Sequence, residues 1–302
     1  MVTSTRRFRR NYLKHYLLLA PFFIFFTIFF LWPILYGLGM SVTKWDGVHQ
    51  PIFVGVANYV NVIGSKGFAL GISHLALFII IAIPLGVLVA LGLAIMVSRF
   101  RGFWYNFFQG AYFLPFVVPV FLAAVIWRWM FTPDYGIINV GLRLIGVERV
   151  RWLNDPNFMI PALVIVDLWR AAGFNVILLL AGIKAIPKDY YEAAHVDGAT
   201  PWQEAIYITI PLLEPILFLV IVNAFISVFQ IFDTPWLLSR SDYNTQGGPG
   251  RGMLFPVMDI MGRAFGSQKF GEAAAYAMIL LAITLVVTLI QFALRRRLRS
   301  NR

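Results

Sequence analysis

Six long apolar runs, at residues 16–36, 70–97, 107–130, 159–183, 206–232 and 274–294, alternate with more polar segments along the chain. Each meets the requirement of ~20 mostly apolar residues for a helix that crosses the hydrocarbon core of a bilayer. The runs are continuous rather than alternately apolar and polar, which excludes barrel strands. The pattern predicts an all-α integral membrane protein with six transmembrane helices. Two runs carry paired prolines, Pro115 with Pro119 and Pro211 with Pro215. A proline inside a membrane helix leaves a carbonyl without its usual partner and permits a kink. Trp127, Trp129 and Phe131, closing the third run, are expected as an aromatic belt at the outer interface.

One polar stretch stands apart. Residues 191–215, YEAAHVDGATPWQEAIYITIPLLEP, lead from the fourth run into the fifth. Residues 187–196 suit a short helix. Pro187 fits a first helical position, and Asp189 and Glu192 lie early, where the helix dipole favours negative charge. Gly198 can end it, because glycine takes the left-handed C′ conformation without a Cβ penalty. A second helix then starts at once, with Thr200 as N-cap, Pro201 as first residue and Gln203 at the capping-box position. The expected product is a short helix, a sharp corner and a long helix: an exposed knob at a membrane face.

Charge orients the runs. Of the 25 Lys and Arg, fourteen fall in one set of alternate segments, including Arg6, Arg7, Arg9, Arg10, Lys14, Arg99, Arg101, Lys184, Lys188 and the 295–302 tail. Nine fall in the other set, which is longer, and two, Arg128 and Arg170, within runs. The denser set faces the cytoplasm. Both termini and the 192–198 stretch are therefore expected inside, and the first run is read as a retained anchor with no small-residue cleavage site after it.

Composition narrows the function classes. The chain of 302 residues is 60% hydrophobic and 13% charged, with a mean hydropathy of +0.76, so the bilayer must solvate most of its surface. A net charge of +11 would suggest nucleic acid in a soluble protein. Here the cations sit at the ends and in loops, so anionic lipid headgroups are the expected partner and no nucleic acid is. There is no cysteine and there are only four histidines, a composition that argues against a metal site. The glycine-rich 244–252 loop and the GSQKFGEA stretch lack the Lys-Ser or Lys-Thr of a P-loop, and no HExxH or G-x-S-x-G occurs. No catalytic residue is assigned.

Polar residues inside the runs are the remaining candidates. Asp167 and Arg170, three apart, share a helical face; they suit either a substrate path or a structural ion pair or subunit contact. Asn223 and Gln230, seven apart, also share a face, and their amides could bond sugar hydroxyls or a neighbouring helix. His74 is a lone histidine near a helix end, for which a structural role competes with titration.

Glu192, Ala193, Ala194, Asp197, Gly198, Ala199, Ile208, Pro211 and Pro215 resemble, in order and spacing, the EAA motif of ABC-importer permease subunits. Ala205 departs from it, since relatives often carry a bulky aromatic there. Gly55, Asn58 and Tyr59 resemble the G-x-x-N-Y signature, and Thr245, Gly247, Gly248 and Pro249 the TxGGPG loop, of the carbohydrate branch, of maltose and glycerol-phosphate type. The resemblance implies the ABC type I importer permease fold. It divides the chain into 1–69 (N-terminus, first helix and outer loop), 70–294 (permease domain) and 295–302 (basic tail). It makes Glu192, Ala193, Ala194, Asp197 and Gly198 the coupling helix that contacts an ATP-binding subunit. The implied function is ATP-driven, binding-protein-dependent import of a sugar or oligosaccharide, with glycerol phosphate as the alternative solute. The implied partners are a second permease subunit, two ATP-binding subunits and an extracytoplasmic solute-binding protein, in a prokaryotic plasma membrane. No cofactor is expected in this chain, ATP being bound by the partners. An ion-driven secondary transporter would need no capped cytoplasmic helix and would be expected to show inverted repeats, of which none is evident. A membrane enzyme or channel would want clustered polar residues, which are sparse.

Overall fold

A computed structural model describes residues 16–300, with side chains to residue 297. The side chains of Arg6, Arg7, Arg9, Arg10, Lys14, Arg299 and Arg302 lie outside those described. In chain order, α1 (Tyr16–Ser41) leads into a small antiparallel hairpin of β1 (Thr43–Lys44) and β2 (Ile52–Phe53), with Thr43 opposite Phe53. Then come α2 (Ala57–Ile63), α3 (Lys66–Ser98), α4 (Gly102–Val117), α5 (Val120–Met130), α6 (Ile137–Leu144) and α7 (Pro156–Ala185). The short α8 (Asp189–Val196) precedes α9 (Pro201–Leu212), α10 (Glu214–Phe229), α11 (Asp233–Leu238), α12 (Pro256–Met261) and the long α13 (Phe270–Ser300).

Four of the six predicted runs are single long helices, α1, α3, α7 and α13. The third and fifth are broken more sharply than a kink. Between α4 and α5 the axis turns by 96°. Val118 precedes Pro119, and the proline ring drives it out of the helical region to φ −63°, ψ 126°. Pro119 is itself extended and becomes the N-cap of α5. Between α9 and α10 the turn is 69°. There Pro215 offers no N–H to Pro211, and Leu213 flattens to φ −80°, ψ −4°. A wide turn precedes it, in which the Ile210 N–H reaches Ala205 O, five residues back; Ala205, small and buried, opens that turn.

The core runs along α7, which packs on α3 and is crossed by α4. At the α4 crossing a Cβ on Gly173 would overlap Tyr112 O, so only glycine allows this approach. Helix α1 is peripheral, packing on α13 through its second half, with no buried residue before Met40. Trp127 and Phe131 do not form the expected belt. They are four apart on one face of α5, and that face turns inward, against Trp169 and Trp152 respectively. Trp129, on the opposite face, is exposed.

Hydrophobicity gives membrane helices little reason to choose one another, so polar ties carry much of the specificity. At the hairpin end, the buried Asn58 donates through Nδ2 to Ser41 O (2.9 Å) and Thr43 O (2.8 Å), and Ser41 Oγ lies 2.7 Å from Tyr59 OH. The N-Y pair thus pins the end of α1. Gly247 and Gly248, both at positive φ, fold the 245–249 loop tightly enough for Met253 N–H to reach Gly247 O at 3.0 Å. A Cβ at Gly247 would stand 2.7 Å from Leu254 N. Beside the loop, buried Asp259 accepts from Arg251 Nη2 (3.1 Å) and Arg263 Nε (3.0 Å), and Arg263 continues to Glu272 (2.9 Å) and Ser65 Oγ (2.6 Å). His74 Nδ1 donates to Leu254 O at 3.0 Å, which gives it a structural role. On the hairpin, His49 Nδ1 lies 2.5 Å from Asp46 Oδ2. That hydrogen bond raises the imidazole above its ordinary value and holds the carboxyl well below the carboxylate range.

Candidate functional site

At the end opposite the hairpin, α8 forms the knob read from the sequence. It begins at Asp189, two residues later than expected, because Pro187 makes a tighter turn in which Tyr190 N–H reaches Pro187 O. Its far end is a complete left-handed cap: Ala199 N–H donates to Ala194 O (2.9 Å), Gly198 N–H to His195 O (3.1 Å), and Gly198 sits at φ +75°. The reciprocal capping box follows, with Thr200 N–H on Gln203 Oε1 (2.7 Å) and Gln203 N–H on Thr200 Oγ1 (3.4 Å). Glu192, Ala193, Asp197 and Gly198 are exposed and Ala194 is half-buried. Val196 and Trp202 are more than two-thirds exposed, at 88% and 73%.

The segments that meet at this end are those richest in cations. Arg99 Nη2 donates to Pro201 O (2.9 Å), and Lys184 Nζ lies 4.0 Å over the Tyr105 ring. Arg295 Nε donates to Glu214 Oε1 (3.0 Å), tying α13 to the start of α10.

The other candidates converge deeper in the bundle. Asp167, Arg170, Asn223 and Gln230 all line one cavity of about 280 Å³ between α3, α7 and α10 and the α4–α5 break. Among the described residues no ion pair joins Asp167 to Arg170, and neither Asn223 nor Gln230 bonds a neighbouring helix. Both amides are exposed to the cavity. The wall also includes Asn175, Ser227, Asp233 and Thr234, with Phe116, Phe174 and Phe232 as flat apolar surfaces. These were missed in the sequence. The signal existed on two helices: 167, 170, 171, 174 and 175 follow one face of α7, and 223, 227 and 230 one face of α10. Asp233 and Thr234 had none, since they reach the cavity from the start of α11, and Phe116 had none, since it reaches it beside the α4–α5 break. What the cavity offers chemically is amide, hydroxyl and carboxylate groups around aromatic faces, suited to holding a polar, hydroxyl-rich solute without reacting with it. Among the described residues no group of three or more His, Asp or Glu is placed to hold a metal ion.

Known proteins share this arrangement. Residues 82–300 match the family described as binding-protein-dependent transport system inner membrane component. A probable ABC transporter permease protein of Pyrococcus horikoshii is 33% identical over 277 residues, 90% of this chain and 92% of that one. The trehalose/maltose transport system permease protein MalF of Thermococcus litoralis is 28% identical over 303 residues, 98% and 97% of the two chains. A chain in the crystal structure of a bacterial alginate ABC transporter, in complex with an alginate pentasaccharide-bound periplasmic protein, superimposes with a TM-score of 0.83 at 25% identity, covering 97% of each chain. The family is one of transport permeases, not of enzymes or ion-driven carriers, and its multi-pass members sit in the inner membrane. With its two broken spans, its cavity and its capped knob on the ABC-importer permease fold, the chain belongs to the binding-protein-dependent transport system inner membrane components.

Proposed function

We propose that this chain is one of the permease subunits that form the membrane path of an ATP-driven importer for a sugar or oligosaccharide. The observation that carries the solute class is the cavity, in which Asn175, Asn223, Ser227 and Gln230 stand beside Phe116 and Phe174. Amides that both donate and accept suit hydroxyls, and flat aromatic faces suit the apolar faces of sugar rings. Relatives named for trehalose and maltose, for arabinooligosaccharides and for lactose support the same class.

In this reading α8 faces the cytoplasm, as do the segments before α1 and after α13, in keeping with their cations. Glu192, Ala193, Ala194, Asp197 and Gly198 form the surface that docks on an ATP-binding subunit. Two such subunits drive the transport, a second permease subunit completes the path, and an external solute-binding protein delivers the solute. Asp167, Arg170, Asn223 and Gln230 line the path. ATP-driven closure of the partners switches access from one side to the other.

The test is uptake into proteoliposomes holding the assembled complex, with binding protein outside and ATP inside. Labelled disaccharides and oligosaccharides should accumulate only with ATP, and a protonophore should not stop them. Accumulation of glycerol phosphate but no sugar would overturn the solute class. Uptake abolished by the protonophore would overturn the energy source.

A further inference from the structure

Helix α8 is joined to its neighbours by more than backbone. Tyr191 OH lies 3.0 Å from Thr209 Oγ1. Thr209 is buried, and its hydroxyl donates in turn to Glu204 O at 3.3 Å, so Tyr191 donates to Thr209. Thr209 closes the wide turn of α9 in which Ile210 N–H reaches Ala205 O. Wide turns of this kind are frequent at functional sites. The ring of Tyr191 also packs on the same apolar cluster as Leu213, the residue at the 69° break. Leu213 has no freedom of its own: it is fully buried, and α7 presents Gly182 there, where a Cβ would stand 2.7 Å from Leu213 Cδ2. A second contact is weaker. His195 Nδ1 donates to Tyr191 O (2.7 Å), which leaves Glu204 Oε1, 3.2 Å from the same nitrogen, without a hydrogen bond of its own.

We infer that Tyr191 and Thr209 are positioning residues that tie the coupling helix to the wide turn of α9, so that force on α8 is delivered to the Leu213 break. The inference rests on the reading of α8 as the docking surface. The corner at Gly198 could flex if α8 and α9 met only through it. The tie closes a second connection between them, 18 residues apart in sequence, and makes α8 and the first half of α9 one lever. Beyond the break, α10 carries Asn223, Ser227 and Gln230 into the cavity. Movement of the lever about Leu213 would swing those side chains, and the cavity would open or close with it.

The experiment uses the complete importer in proteoliposomes, with Tyr191→Phe, Thr209→Val and Thr209→Ser, and reads assembly, ATP hydrolysis and uptake separately. Tyr191→Phe and Thr209→Val remove one hydroxyl and keep the shape. Each should leave the ATP-binding subunit bound and hydrolysing while solute moved per ATP falls about fivefold, the scale of one hydrogen bond. Thr209→Ser restores the hydroxyl and should restore the ratio. The Tyr191→Phe, Thr209→Val double variant should be no worse than Thr209→Val alone, which also gives up the bond to Glu204 O. Wild-type uptake per ATP in both singles overturns the tie, and so do additive losses in the double. A fall in uptake matched by a fall in assembled complex also overturns it, as the role would then be stability alone. Gly198→Val in parallel separates the two levels. If it leaves subunit association and uptake intact, the docking reading has failed. If it impairs them while Tyr191→Phe does not, only the tie has failed.

Discussion

Gly198 offers the sharpest quantitative test of the knob, because its conformational and steric costs can be told apart. Its φ of +75° lies where a Cβ collides with the chain's own backbone. That collision costs roughly 1–2 kcal/mol for an ordinary residue. Yet a Cβ built on Gly198 meets no other atom within 4 Å, so nothing beyond the backbone penalises a larger residue. The series Asn, Ala, Val should therefore follow left-handed tolerance, not size. Asn, which adopts this region readily, should stay close to glycine. Ala should open the corner by about 5–30-fold, the factor that 1–2 kcal/mol represents, and Val by at least as much. The direct readout is hydrogen exchange at the amides of Gly198 and Ala199, whose bonds to His195 O and Ala194 O close the cap. The functional readout is co-purification of the ATP-binding subunit and the ATP hydrolysis that loaded binding protein stimulates. Val exchanging like glycine would refute the left-handed cap. Asn as damaging as Val would also refute the reasoning, since size at a partner contact would then be decisive.

Four further outcomes are expected. Because Asp167 and Arg170 share a cavity without a salt bridge between them, a double-mutant cycle on uptake with Asp167→Asn and Arg170→Gln should give a coupling well below the roughly 3–5 kcal/mol scale of a broken buried pair; a coupling on that scale means they pair during transport. Asp259→Asn removes the acid that Arg251 and Arg263 share, while Arg263 keeps Glu272 and Arg251 stays partly exposed, so thermal stability in detergent should fall by about 1.5–3 kcal/mol, the scale of a hydrogen bond to a charged group. An unchanged melting temperature would contradict the network. In the cysteine-free chain, Asn244→Cys on the exposed hairpin-end loop should react with an impermeant thiol reagent from outside, and Val196→Cys only in inverted vesicles; the reverse would invert the topology. Gln246 is unsuited to this labelling because it is buried against Tyr243 O. Finally, the raised pKa of His49 makes its bond to Asp46 fully present below the ordinary imidazole value and lost as pH rises through the folded one. The lowered pKa of Asp46 keeps the bond down through the usual carboxylate range. Trp45, whose Nε1 donates to His49 O at 2.7 Å, should therefore shift its fluorescence as the pH rises above the ordinary imidazole value, and His49→Gln should abolish the shift.

What the sequence disclosed was local. Caps, turns and span lengths depend on residues within one or two turns of each other, and Thr200 with Gln203, or Gly198 after Val196, behave as their types dictate. The shared faces of 167 with 170 and of 223 with 230 were legible for the same reason. The bringing together of those two faces was not, nor was the part that Asp233 and Phe116 play in the cavity. A proline announces that a helix is disturbed, but not by how much: Pro84 and Pro161 sit inside continuous helices, whereas Pro119 ends one. Trp127 misled because an aromatic near a span end has two uses, and only the packing of α5 on α7 decides between them. The bond from Arg263 to Ser65 joins residues 198 apart, and no pattern along the chain announces it.

The 96° break carries a consequence for water. Around Val118 and Pro119 the last carbonyls of α4 and the first amides of α5 have no helical partners. Bare backbone at the depth of the acyl chains is tolerated only inside protein or against solvent. Phe116 and Val120, on either side of the break, both face the cavity. Backbone at the break must be met either by surrounding protein or by water in the cavity, and in the proposed reading a solute there would meet main-chain groups as well as side chains. No side-chain replacement can delete those groups. If the cavity is the solute path, as proposed, replacements at Asn175, Asn223 or Gln230 would change its side-chain donors and acceptors while the main-chain groups at the break stay the same.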